Sequence, residues 1–296
     1  MTSCATIGFF DGVHLGHQYL FRQLREVAAA RGLSPVAVTF AEHPRKTLQP
    51  GFQPRLLTTL DEKRGFIGDC GISRCEILAF SPDLAHLTAR EFMRNHLLPL
   101  GVGCLLVGYD HRFGSDRCAF EDCLPLGQEL GIAIVQAEAY HGAVATVSSS
   151  VIRSLLDEGD VTRATQCLGR NYSISGVVVE GYKEGRKLGF PTANLLPDSS
   201  EKIVPKCGSY ATWVDFGGRR YAAMTNIGLR PTFGNGTETS IESHIFDFDG
   251  DLYGQSVTLR FVRRLRDERK YPAAGDLQRQ LCADAATARQ ILYKEI

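Results

Sequence analysis

The chain has 296 residues, 44% of them apolar, and its 33 basic and 33 acidic side chains cancel to a formal net charge of zero. That length suits two domains, and the balance argues against a duplex nucleic-acid binder, which carries a basic excess. No run approaches the ~20 apolar residues of a membrane span, and the start MTSCATIGFF lacks the basic head and long apolar run of a secretion signal.

The first half alternates between strand and helix patterns. The run ATIGFF reads as a strand, followed by a D-G turn. A helical pattern follows through HQYLFRQLREVAAARG, with Leu20, Leu24 and Val27 on one face and Gly32 stopping it. PVAVTF (35–40), CEILAF (75–80), CLLVG (104–108) and IAIVQAEAY (132–140) read as buried strands. Between them lie TLDEKRGFIGDC, capped by Thr59, and TAREFMRNHLL, where Thr88 and Glu91 form a capping box. This order predicts a doubly wound parallel sheet with helices on both faces and ligands at the carboxyl ends of the strands. GFFDGVH, TFAEHP and VGYDHRFG fall at such ends.

From Tyr172 the runs alternate in the β sense: YSISGVVVEGY, SYATWVDF, RRYAAMTNIG, SIESHIFDF and SVTLRFVRRL, with a Gly217-Gly218 hairpin signal. They predict an antiparallel β-barrel, followed by a terminal helix over AAGDLQRQLCADAATARQILYKEI. The class changes near LDEGDVTRATQCLGRN, which reads as helix broken at Gly169, so the expected domains are 1–165 and 166–296. The nine cysteines include no C-x-x-C pair, and they read as reduced thiols of a cytoplasmic protein.

Two stretches carry chemistry. His14-Leu15-Gly16-His17 allows three readings: a surface turn, a metal pair without its third ligand, or a phosphate site. Its place after a strand and at a helix start favours an anion. Gly16 admits close approach, and two imidazoles can donate to phosphate oxygens. That arrangement suits attack on the α-phosphate of ATP with loss of pyrophosphate. VSSSVIRSLL (147–156) offers a clamp for the leaving phosphates, with serines at a helix start and Arg153 in its first turns. The second stretch, GYKEGRKLGFPTANLLP (181–197), is Gly-rich and basic (Lys183, Arg186, Lys187). It is neither a P-loop nor a Rossmann turn. Amides near Gly185 and Gly189 could wrap phosphates, and Thr192 and Asn194 offer oxygens to a hydrated Mg²⁺. Glu242 and His244 share a strand face, which makes Glu242 a candidate base for an attacking hydroxyl. DFDGD (247–251) breaks EF-hand spacing and reads as a turn.

The ordered set of motifs resembles the bacterial bifunctional riboflavin kinase/FAD synthetases over essentially the whole length. TIGFFDGVHLGH, VTFAEHP, LAHLTAREF, VGYDHRFG and VSSSVIRSLL stand in the first half. LGRNYSISGVVVEG, GRKLGFPTANL, NIGLRPTF, ESHIFDFDGDLYG and RDERKY stand in the second. The resemblance implies a nucleotidyltransferase-type α/β domain followed by a flavokinase barrel. It implies two ATP sites, Mg²⁺, and riboflavin, FMN and FAD as substrates and products, with no nucleic-acid or membrane partner. Homo-oligomerisation stays open. Residue by residue, it implies that His14 and His17 bind ATP phosphates and that Gly8, Phe10 and Asp11 form the loop around the nucleotide. Asp110 would contact the adenosine, and Ser149, Ser150 and Arg153 would form the clamp. His43 and Pro44 would lie near the flavin, Thr192 and Asn194 would hold Mg·ATP, and Glu242 would be the base on the riboflavin 5′-hydroxyl. The chain departs from the family pattern at Ala41-Glu42 and at His111. A kinase without the second activity and a non-catalytic flavin-binding regulator are the alternative readings.

Overall fold

Short apolar runs flanked by turn residues set the first unit. The computed structural model describes residues 1–49, 51–142, 144, 146–181, 184–231 and 237–294. The chain divides into two compact units, Met1–Ser149 and Ser150–Ile296.

In the first unit Ser3–Ile7 (β1) leads into helix Leu15–Ala30 (α1), then Ser34–Phe40 (β2), Pro44–Leu48 (α2) and Leu60–Asp69 (α3). Arg74–Leu78 (β3), Pro82–His86 (α4) and Ala89–Phe92 (α5) follow, α5 running on into a π-turn at Met93–Leu97. Val102–Val107 (β4), Phe120–Leu130 (α6) and Ala133–Gln136 (β5) complete it. The sheet order is β3-β2-β1-β4-β5 and every pairing is parallel. Alternate residues of the strands feed two cores. Ala5, Val36, Val38, Leu105 and Val107 pack on one face with Phe92, Met93 and Leu97. Cys4, Ala37, Cys104 and Leu106 pack on the other with Phe21, Leu24, Ala28 and Ile67. Both faces are covered, so the strands read as continuous apolar runs rather than alternating ones. The order reverses at β1, which places a crevice at the carboxyl ends of β1 and β4.

Two expectations shift here. On α1 the fully buried positions are Phe21, Leu24 and Ala28, with Leu20 and Val27 on the flanks. Strand β5 stops at Gln136, four residues before the apolar pattern ends. The Gln23 side chain then takes over the backbone: its Oε1 accepts from the Glu138 N–H (2.8 Å) and its Nε2 donates to the Glu138 carbonyl (3.2 Å).

The second unit begins with Ser149–Glu158 (α7, starting one residue earlier) and Val161–Leu168 (α8). The barrel strands are Tyr172–Val179 (β6), Ala193–Pro197 (β7), Gly208–Phe216 (β8), Arg219–Pro231 (β9), Thr237–Ile245 (β10) and Ser256–Arg266 (β11). A short helix, Glu184–Lys187 (α9), precedes β7, and Ala274–Leu292 (α10) ends the chain. The strands close in the order β10-β7-β6-β11-β8-β9. Gly217 and Gly218, at φ 56° and 72°, make the tight turn between β8 and β9, as mirror-type hairpins require. Ala288 and Leu292 of α10 pack on Ala211, Met224 and Val262 of the barrel wall. The helices expected to close the first domain pack instead with the second unit. Val161, Ala164, Cys167 and Leu168 of α8 are buried, its Thr162 Oγ1 donates to the Val262 carbonyl (3.4 Å), and Gly169 ends it at φ 70°.

Candidate active sites

The first site grows from the loop 8–14 between β1 and α1. Gly8 is there for space: a Cβ would lie 2.6 Å from the Phe10 ring. Phe10 and Val13 hold positive φ of 53° and 40°, conformations that persist only where surroundings over-determine them. Asp11 supplies much of that constraint. It is buried, and its carboxylate accepts from the N–H of Leu57 (3.0 Å), the N–H of Thr58 (3.1 Å) and the Thr58 hydroxyl (3.1 Å). Its carbonyl accepts from Ser149 Oγ at 2.8 Å.

His14 is the N-cap of α1, with Nδ1 accepting the His17 N–H at 3.4 Å. The two imidazoles stack at 3.7 Å between centroids, 18° from parallel. Gly16 lets this happen, because a Cβ there would crowd the His14 ring at 3.2 Å. Phe10 meets the His17 ring edge-on at 5.3 Å. Burial, helped by neighbouring His14 and Lys63, holds His17 well below its ordinary range, so it is neutral at pH 7. Its buried Nδ1 has no hydrogen-bond partner. The ends of the neighbouring strands complete the surroundings. His43 caps α2, Pro44 is its first residue, and the His43 ring lies 4.8 Å from Phe9. Asp110 is exposed beyond β4, beside His111, whose imidazole burial pushes down. A cavity of about 330 Å³ opens among Ile7, Phe40, Phe80, Phe92, His111 and Phe113. Ser150 is exposed at the start of α7, and Arg153 lies one turn farther along it, in the second unit.

The second site forms where β7 meets β10. Asn194 pairs with Glu242 across the strands, and Thr192 Oγ1 donates to Glu242 Oε2 at 3.2 Å. Asn194 is buried, and Gly181 makes room for its amide, since a Cβ there would lie 2.2 Å from Nδ2. Thr192 borders two cavities. The larger, about 670 Å³, is walled by Arg186, Pro191, Phe248, Asp249 and Tyr253. The smaller, about 220 Å³, is walled by Glu242, His244, Phe190, Met224, Tyr271 and Leu281. The shared strand face of Glu242 and His244 is therefore real. His244 Nδ1 lies 2.8 Å from the Pro191 carbonyl, and burial pushes its imidazole down. Gly189 has φ 85° and its N–H donates to the Arg186 carbonyl (3.2 Å). Gly185 leaves no room for a Cβ beside the Phe190 carbonyl, which would lie at 2.4 Å. Both glycines shape this turn, and Arg186 lines the larger cavity. Lys183 lies outside the described residues.

Models of two families match the chain: FAD synthetase over residues 1–151 and riboflavin kinase over residues 168–292. The chain is 37% identical to the bifunctional riboflavin kinase/FMN adenylyltransferase of Pseudomonas fluorescens, covering 97% of this chain and 92% of that one. The Bacillus subtilis protein of the same name is 33% identical over 97% and 91%. The chain belongs to the bifunctional riboflavin kinase/FMN adenylyltransferase family. Among solved structures, one described as a macrolide-efflux protein from Streptococcus pneumoniae superposes with a TM-score of 0.91 at 32% identity, covering 97% and 94% of the two chains. That description belongs to the streptococcal protein. Among the described residues here, no helix is long and apolar enough to cross a membrane.

Set within this family, two features escaped the sequence reading. Lys63, buried on the apolar face of α3, donates to the carbonyls of Phe9 and Phe40. A lysine at an apolar position of an amphipathic helix was the available signal. The turn 248–253 walls the cavity beside Thr192, and a turn read by itself carries no sign of that.

Proposed function

We propose that the barrel unit phosphorylates riboflavin to FMN and that the α/β unit transfers AMP from a second ATP to that FMN, giving FAD. The observation that carries this reading is a separate polar site in each unit: stacked histidines at a helix start, and a hydroxyl–carboxylate pair at the junction of two cavities.

In the kinase step ATP occupies the larger cavity and riboflavin the smaller, so the reacting groups meet at Thr192. Glu242, oriented by the Thr192 hydroxyl, takes the proton of the riboflavin 5′-hydroxyl as its oxygen attacks the γ-phosphorus. The bond to the bridging oxygen breaks and ADP leaves with the electron pair. Thr192 Oγ1 and the Asn194 amide oxygen are neutral hard donors, which fits a Mg²⁺ that keeps most of its shell in phosphate oxygens and water, and leaves the Glu242 carboxylate for the proton. Mg²⁺ there would neutralise charge on the triphosphate.

In the adenylyl step an FMN phosphate oxygen attacks the α-phosphorus of ATP and pyrophosphate departs. The nucleophile is already an anion, so no base is needed. Charge builds on the phosphate oxygens, and the donors for it are the imidazole N–H groups of His14 and His17 and the amides at the start of α1. We assign Gly8 and Phe10 to shaping this loop, Asp11 to bracing it, and Asp110 to the adenosine. Ser149, Ser150 and Arg153 are assigned to the leaving phosphates. The flavin is assigned to the aromatic cavity at the ends of β1 and β2, with His43 and Pro44 beside it. All nine cysteines are free thiols, which suits a reducing, ATP-rich compartment such as the cytoplasm.

The test is product analysis by chromatography. His14→Ala should keep FMN formation and lose FAD formation. Glu242→Ala should lose FMN formation and still convert supplied FMN to FAD. Equal loss of both activities in either variant would overturn the assignment to separate sites, and wild-type protein that makes FMN alone would leave the kinase reading.

A further inference from the structure

Lys63 is a buried charged residue of the first unit that neither step above uses. Helix α3 places it one turn before Ile67, on the face packed against the sheet, and it is 2% exposed. A buried ammonium is costly unless its donors are met. Here they meet two main-chain carbonyls, Phe9 at 3.1 Å and Phe40 at 2.9 Å. The Phe9 ring covers the same ammonium, its centroid 4.2 Å away.

Those two carbonyls mark functional places. Phe40 ends β2, just before His43. Phe9 opens the loop that reaches His14, and its ring touches His43 edge-on. One ammonium therefore clamps the carboxyl ends of two neighbouring strands where both site loops depart. The Phe9 carbonyl also accepts from Thr39 Oγ1 at 3.1 Å. The loop beyond it carries the positive φ values of Phe10 and Val13, which need such external constraint.

We propose that Lys63 is a positioning residue for adenylyl transfer, locking Phe9 and Phe40 so that the loop presents His14, His17 and His43 to the reacting phosphates and flavin. The inference rests on the adenylyltransferase reading above. Charged and titratable groups facing Lys63 are Asp11 from the loop, Cys75 from β3 and His17 from α1. Burial draws the ammonium down to about 8, against the opposing pull of Asp11 and Cys75.

The experiment compares full-length wild type, Lys63→Met and Lys63→Arg, with FMN adenylylation and riboflavin phosphorylation assayed separately. Wild-type FAD formation tests the underlying reading first. Lys63→Met should lower the adenylylation kcat about ten- to a hundredfold, the scale of small misplacements of catalytic groups. KM values should stay within about threefold and kinase activity within about twofold, a kcat-against-KM split expected of lost transition-state contacts. Lys63→Arg keeps a charged donor to both carbonyls and should retain most of the rate. Charge-assisted bonds are roughly twice as strong as neutral ones. Wild-type kcat should therefore fall as pH rises through about 8, while Lys63→Arg stays level. An unchanged kcat in Lys63→Met overturns the proposal. So does a loss that matches the unfolded fraction in a thermal melt. If Lys63→Met does not fold, the pH comparison decides, and a shared decline above pH 8 overturns it.

Discussion

Gly16→Ala separates helix stability from catalysis at one atom. Gly16 sits in the first turn of α1 and lacks a positive φ, so alanine suits the backbone and should gain up to about 1 kcal/mol in helix propensity, less at a helix end. Its Cβ, however, would lie 3.2 Å from Cε1 and Nδ1 of His14. That is a few tenths of an ångström inside ordinary contact, so the ring must retreat. The His14 Nδ1 to His17 N–H cap is already 3.4 Å long and would pass beyond hydrogen-bond range. Losing a side-chain cap costs about 1 kcal/mol, which roughly offsets the propensity gain. Net stability should therefore change by less than about 1 kcal/mol. The displaced ring should lower FAD formation from FMN about ten- to a hundredfold and leave riboflavin phosphorylation unchanged. Chromatography of both products beside a thermal melt reads all three quantities. FAD formation within twofold of wild type would refute the claim that Gly16 exists to let His14 fold back.

Two further outcomes follow from buried polar groups. Asp11→Ala strands the N–H groups of Leu57 and Thr58 and should destabilise the first unit by about 2–4 kcal/mol, seen as an earlier unfolding transition with kinase activity retained. His17 is held below its ordinary 6.5 by burial. The unfolded chain therefore binds a proton that the folded one resists, and stability is full above pH 6.5 and declines as pH falls below it. Urea unfolding at pH 7.5 and 5.5 checks this, and the His17 imidazole should contribute no titration to the adenylylation rate between pH 6.5 and 8.

The parallel sheet was legible because strands covered on both faces read as unbroken apolar runs. The Thr59 cap and the Thr88–Glu91 capping box stand where the sequence put them, and Glu62 makes the first a capping box too, since that signal is local. β7 was not legible. Its five residues follow Pro191 and lead to Pro197, so the stretch reads as loop until β6 and β10 pair with it. The His14–His17 pair could be picked out, but not its stacking, which depends on the His14 ring folding back over Gly16. The apolar-face position of Lys63 could be read, but not its role, because its partners are carbonyls 54 and 23 residues away, and main-chain acceptors leave no mark in a sequence.

Helix α8 stands before the first barrel strand, and it is part of the barrel unit's own core. Each inserted residue turns everything after it by about 100° around the helix axis. An insertion between Val161 and Leu168 would swing Ala164, Cys167 or Leu168 off the barrel wall. Over evolutionary time the exposed face of this helix is free to drift in sequence, while its length is pinned by its packing against the barrel.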